Sequence, residues 1–332
     1  MENVPKKSMR RALIRVGGSA VMLALLLLIL PFDEIIETLG RMPLPIWLIG
    51  LAVYLCLHFI GVVKWRLMSN SAGAGMPLSV AARCYYAGLF GNTFLPSIVG
   101  GDVVRAGLAF KHVRSKSGLL FGSFIDRLLD FVALIAVAGI GALLLPTALD
   151  PQSRRIFVAA SAFVGLLAVG GFAALAVLPA RRLPFKIRRK LVPLRKALRA
   201  IAERPAAVTM VLTLGITLQF TLVLLNAWLS SAVGIHISLA MWLFVWPLAK
   251  LSGVLPVTQN GIGVREAAQV VLFAPFGVAA VSAVAAGLVF ESIILAGGLV
   301  GGLLSLIIGR LFSGPLPRST SPATNPSVHV AA

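Results

Sequence analysis

Five carboxylates, Asp102, Asp126, Asp130, Glu266 and Glu291, stand in or beside strongly apolar sequence, although the chain has only eleven acidic residues. A carboxylate in hydrocarbon is costly unless a cation, water or substrate meets it, so such residues face a bundle interior or a cavity. Arg105, Arg127 and Arg265 are the nearest cations in sequence. On a helix, Arg127 and Asp130 lie three apart and Asp126 and Asp130 four apart, so all three can share a face. Two chemistries fit. In the first, Arg105 and Arg265 are bidentate donors to a phosphate, with Asp126 and Glu291 orienting them or exchanging a proton. In the second, the charges form buried ion pairs that fix helix register, or they sit at the interface and snorkel. The candidate binding set is Asp102, Arg105, Asp126, Arg127, Asn260, Arg265, Glu266 and Glu291.

Two of these residues belong to a phrase written twice. Leu95-Pro96-x4-Gly101-x2-Val104-Arg105 returns 160 positions later as Leu255-Pro256-x4-Gly261-x2-Val264-Arg265. Proline and glycine interrupt helices, and an arginine near the bilayer centre costs about 2.5 to 3.5 kcal/mol on insertion scales. Neither belongs in a membrane segment without a polar cavity to serve, so the repeat predicts two re-entrant hairpins and points towards transport. Broken helices also offer free backbone N–H groups that suit an anion.

Composition sets the frame for these elements. Hydrophobic residues make up 58% of 332 and charged residues 12%, and several stretches exceed the length of a bilayer crossing. The pattern predicts an all-α polytopic membrane protein. Its longest polar insert, Arg181 to Arg204, is too short for an independent catalytic core. The net charge of +19 comes from basic clusters between apolar spans and not from an aromatic-interleaved module, so nucleic acid is not an expected partner. Such clusters mark cytoplasmic loops and contact anionic lipid.

Apolar runs at about 12–31, 44–63, 118–146, 156–179, 206–233 and 278–310 predict six full crossings. The broken stretches 85–110 and 240–276 lie between them. Basic residues place the N-terminus, Lys64 to Arg83, Arg105 to Lys116 and Arg181 to Arg204 on the cytoplasmic side, and the C-terminus then falls there as well. With that orientation the hairpins enter from opposite sides. Each half reads span, broken hairpin, long span, giving inverted repeats at about 44–146 and 206–310. Gly122-x3-Asp126 and Gly287-x3-Glu291 recur within the long spans. Residues 1–11 read as a basic cytoplasmic N-terminus, 12–312 as the membrane domain, and 313–332, rich in proline and small polar residues, as a disordered tail. No small-residue cleavage site follows Leu30, so the first span is expected to be uncleaved.

Other motifs carry less. Gly100-Gly101-Asp102 and Asn260-Gly261-x-Gly263 lack the flanking strand and Lys-Ser/Thr of a nucleotide loop, and read as tight turns or close helix contacts. His58 stands alone in a span, no metal-ligand spacing occurs, and no catalytic residue, metal or other cofactor is expected. Lys250, just after Trp246-Pro247, is either a substrate contact or a snorkelling side chain. The five tryptophans read mostly as interfacial anchors, and Cys56 and Cys84 as unpaired. Lys186 to Arg199 could form a basic amphipathic helix, interrupted by Pro193, whose simpler role is to set topology.

Gly88-Leu89-Phe90-x3-Phe94-Leu95-Pro96-x3-Gly100-Gly101-Asp102-x2-Arg105, then Asp126-Arg127, then Leu255-Pro256 to Gly261-x-Gly263-Val264-Arg265-Glu266, resembles the flippase-like transmembrane domain of lysylphosphatidylglycerol synthases. The likeness covers about residues 10 to 312, with Asp126-Arg127 where the family usually shows Glu-Arg. It implies a lipid-translocating fold in a bacterial inner membrane. Bifunctional members carry an aminoacyl transferase domain after the membrane part, and this chain resembles the stand-alone members, so lysine transfer is not expected of it. The expected activity is movement, without catalysis, of a lipid with an anionic head group or a polyprenyl-phosphate-linked amphiphile between leaflets. The alternative is a membrane partner that docks a separate transferase or glycosyltransferase on the basic loop Arg181 to Arg204.

Overall fold

The structure is a computed structural model that describes residues 32–94, 98–145, 149–177, 185–254 and 261–312. The expected span at 12–31, both Leu-Pro steps, Asn260 and the tail from Ser313 lie outside the described residues. Helices follow in the order α1 (Phe32–Gly40), α2 (Leu44–Ser71), α3 (Leu78–Phe94), α4 (Ile98–Ala109), α5 (Lys116–Leu144), α6 (Pro151–Val177), α7 (Phe185–Ala202), α8 (Pro205–Ala232), α9 (Leu239–Ser252), α10 (Val264–Phe273), a 3-10 turn (Ala274–Phe276) and α11 (Ala280–Leu311). No strand occurs among the described residues.

Among the described residues five helices, α2, α5, α6, α8 and α11, are long and apolar enough to cross a membrane. At 1.5 Å per residue the 28 residues of α2 reach about 42 Å, which exceeds the ~30 Å hydrocarbon core. The 17, 12, 14 and 10 residues of α3, α4, α9 and α10 reach only about 15 to 26 Å, so none of these four crosses alone. Local chemistry fixes the starts. Pro45 and Pro205 occupy first turns, where a missing N–H costs nothing. The Ser115 hydroxyl accepts from the Gly118 N–H at 3.0 Å to cap α5. Asp150 caps α6 by accepting from the Gln152 and Ser153 N–H groups, and a hydrogen bond from the Ser153 side chain, with these backbone bonds behind it, holds its carboxyl below the ordinary carboxylate range.

The two halves exchange partners. The α3–α4 hairpin of the first half packs through α3 on α11 of the second, the α9–α10 hairpin packs through α9 on α5 of the first, and α2 packs on α8. Gly50, early in α2, touches Leu229, late in α8, while Lys64, late in α2, reaches Gly215, early in α8, so these equivalent helices run antiparallel. Small residues permit the close approach, as expected where lipid gives no hydrophobic drive between helices. Gly298, Gly301 and Gly302 of α11 lie against Thr93, Tyr86 and Phe90 of α3.

Gly141 of α5 lies against the Leu243-Phe244 backbone of α9, where an added Cβ would stand 2.7 Å from the Leu243 carbonyl carbon. Backbone cannot yield as a side chain can. Gly141→Val is therefore expected to cost about 2 kcal/mol or more and to lower the melting temperature in detergent, whereas Gly165→Ala, which meets open space, should not change it.

Three expectations need correction. Lys64 is not part of a loop, because α2 continues to Ser71 and the side chain is only 2% exposed. Trp65, Trp242 and Trp246 are buried, so they pack between helices and are not interfacial anchors. Pro193 does not interrupt α7, which runs continuously through it. Ala197, Leu198 and Ile201 of α7 are buried against Met68, Ile125 and Val211, and this docking offsets the lost hydrogen bond. Leu143, Leu166 and Leu311, by contrast, are more than two-thirds exposed, as apolar residues are when lipid is the solvent.

Candidate functional site

A cavity of about 170 Å³ opens between the two halves. Asp102, Arg105, Arg127 and Asp130 line it from the first half, and Lys250 and Arg265 from the second. The broken helices set this arrangement. Gly101 of α4 lies against the Gly88 carbonyl of α3 and donates its N–H to Asn92 Oδ1 at 2.9 Å, which locks the hairpin and carries Asp102 and Arg105 to the cavity wall. In the second half Gly261 and Gly263 adopt φ of 77° and 84°, a left-handed geometry that glycine tolerates without strain. The Gly263 N–H then donates to Glu266 Oε2 at 2.5 Å, starting α10 with Arg265 in its first turn.

The charges form two groups. In the first, Arg127 pairs with Asp102, and Arg105 reaches Asp102 at 3.0 Å and Asp126 at 3.5 Å. Lys64 joins the same chain, 2.5 Å from Asp126 and 3.0 Å from Asp130. Asp126 and Asp130 thus share one ammonium from successive turns of α5, while Arg127 turns to Asp102 instead. The Arg105 guanidinium carbon also stands 4.9 Å from the Trp65 ring centroid and 5.6 Å from that of Tyr85. In the second group, Arg265 pairs with Glu291 and lies 3.9 Å from Glu266.

The two groups match across the halves. In each, the arginine of the repeated phrase meets the carboxylate of the long helix behind it, Arg105 with Asp126 and Arg265 with Glu291. Asp126 lies behind the cavity wall, whereas Glu266 and Glu291 line a space of about 10 Å³ beside it, with Lys250 and Arg265 on its border. Arg105 Nε, Arg265 Nε, Asp130 Oδ1 and Glu291 Oε1 are buried and have no partner among the described residues. A buried group so placed is costly unless a ligand or water completes it.

Seven of the eight expected residues are therefore brought together, and Asn260 lies outside the described residues. Lys64, Tyr85, His58 and Gln219 were missed as site residues. His58 lies with Nδ1 3.3 Å from the Tyr85 hydroxyl, and its ring faces Tyr54. One signal for Lys64 was present, because Gly61, Lys64, Trp65, Met68 and Ser71 repeat at helical spacing and all are buried. Among the described residues no group of three or more His, Cys, Asp or Glu side chains is gathered to hold a metal.

Crossing helices, short paired helices between them and a charged cavity at the contact of two halves define a multi-pass helical membrane protein with a polar interior site. Residues 13–302 match the family model of the lysylphosphatidylglycerol synthase TM region, and the chain belongs to that family. Membership assigns it a lipid-related function in the membrane. Among curated proteins, none matches the chain.

Proposed function

We propose that the protein is a lipid flippase, not an enzyme, which moves an amphiphile with an anionic head group between the leaflets of a bacterial inner membrane. The substrate class is a phospholipid or a polyprenyl-phosphate-linked amphiphile, and both termini face the cytoplasm. The observation that carries this reading is the cavity between the halves, to which each contributes one arginine backed by a carboxylate of its own long helix. A phosphate crosses hydrocarbon slowly because its charge must be desolvated. Guanidinium donors replace its hydration, and the acyl chains stay in lipid. Asp102, Asp126 and Glu291 hold the arginines until the head group displaces them, so Arg105 and Arg265 bind it in turn as the hairpins rock.

The test is a leaflet-accessibility assay in proteoliposomes with labelled anionic phospholipids and polyprenyl phosphates. Movement faster than in protein-free vesicles is expected for at least one anionic class. No movement of any lipid, with protein shown to be folded, overturns the reading. Lys196 and Arg199 of α7 are exposed, so a docking partner is the second reading. Under it, Lys196→Glu with Arg199→Glu would abolish the cellular activity that the arginine variants spare. Under the flippase reading the same pair should leave reconstituted transport within about twofold, since surface charges contribute about 1 kcal/mol or less.

A further inference from the structure

Lys250 is the exception among the site's cations. Lys64, Arg105, Arg127 and Arg265 each lie within 4.0 Å of a carboxylate oxygen, and Lys250 has no such partner among the described residues. Its ammonium instead donates to Gln219 Oε1 at 2.8 Å and stands 4.8 Å from the centroid of the Trp246 ring. Both neighbours tolerate a cation without neutralising it, and the ammonium has two further hydrogens to donate. Its place in the last turn of α9 brings only the partial negative charge of a helix end, about half an elementary charge. The remaining positive charge faces the cavity, which far exceeds the ~10–15 Å³ that one water needs.

We propose that Lys250, Gln219 and Trp246 form an anion subsite that takes the phosphate of the head group. The proposal rests on the flippase reading for the identity of the cavity's ligand and adds the residue that receives the charge first. Arg105 and Arg265 are already engaged by carboxylates, so an anion must compete for them. At Lys250 it displaces nothing ionic. Arg105 and Arg265 border the same cavity, and the buried Nε of each has no partner among the described residues. Gln219, an amide and not a carboxylate, is what leaves the ammonium available. The geometry thus assigns α8 and α9 a recognition role and the repeated arginines a later one.

The test measures binding to the full chain in a non-ionic detergent, with dihexanoyl phosphatidylglycerol and inorganic phosphate as separate probes and dihexanoyl phosphatidylcholine as control. Wild type should bind the phosphatidylglycerol, and the phosphatidylcholine at least tenfold more weakly. Binding of inorganic phosphate with the same dependence on Lys250 would show that the subsite reads phosphate itself, and its failure to bind would assign the source to the lipid. Lys250→Met should weaken binding about tenfold or more, as loss of a charge-assisted hydrogen bond does, and Lys250→Arg should stay within about threefold. Gln219→Glu keeps the lysine and supplies an internal counter-ion, so it should weaken binding as much with an unchanged melting temperature.

Equal binding by wild type, Lys250→Met and Gln219→Glu overturns the subsite, as does the absence of any anion binding by folded wild type. Lipid that binds in a Lys250-dependent way but does not cross in vesicles overturns the flippase reading alone. Crossing that persists at full rate in Lys250→Met overturns the subsite alone.

Discussion

Lys64→Met is expected to remove about 3 kcal/mol of stability, because it strips a buried carboxylate, Asp126, and a half-buried one, Asp130, of their shared cation. The Lys64 and Asp126 side chains are 2% and 1% exposed, and Asp130 keeps one buried oxygen without any other partner. Arg105 at 3.5 Å partly serves Asp126, but Asp130 has no substitute within ion-pair distance among the described residues. The variant should therefore melt well below wild type in detergent, or fail to accumulate in the membrane. Lys64→Met combined with Asp130→Asn restores the charge balance and should recover at least half of the loss. A single variant that melts with the wild type would show that the pairs contribute no net stability, as some buried pairs do not when their desolvation cost equals their attraction.

The second large effect is on the proposed transport. Arg265→Gln leaves Glu266 and Glu291 with no cation between them, so a bare substitution confounds folding with function. Arg265→Gln with Glu291→Gln keeps the site's charge balance and removes the guanidinium fork. That pair should fold, melt close to wild type and lose translocation by tenfold to a hundredfold, the weight of one or two charge-assisted hydrogen bonds. Arg265→Lys should fall between, because a point charge cannot grip a phosphate at two oxygens. Arg105→Gln with Asp126→Asn is the matching pair in the first half, and should lose transport to a similar extent if the halves act in alternation. Wild-type rates in the Arg265 pair, with normal expression, would remove that arginine from the path.

The likeness of the halves gives these variants their meaning, and it also shows where the halves differ. Arg105–Asp126 and Arg265–Glu291 are equivalent, yet the first half adds Lys64, Asp130 and the Asp102–Arg127 pair, while the second adds, among the described residues, Glu266 and Lys250. The cavity therefore has a heavily paired wall and a more open one. An anion in the cavity would meet different competition on the two sides, and under the proposed flippase reading this difference is a physical basis for direction.

The sequence by itself determined the class of the protein, the ends of most long helices and the stretches that cannot cross as continuous helices. Uninterrupted apolar length and the backbone limits of proline and glycine are local properties, which need no knowledge of neighbours. It also singled out most of the candidate site, because a carboxylate or guanidinium within an apolar span has so few tolerable surroundings that Asp102, Arg105, Asp126, Arg127, Arg265, Glu266 and Glu291 could be selected one by one. Only the tertiary structure decided which of them meet, that Lys64 lies within a helix and not in a loop, and that Trp65, Trp242 and Trp246 face protein and not the membrane interface. In a soluble helix the apolar stripe marks the buried face. Here lipid and protein are equally apolar surroundings, so the faces of α2 and α9 look alike in sequence, and partner choice rests on shape, such as Gly141 against the α9 backbone, and on charges that must find one another across distant segments.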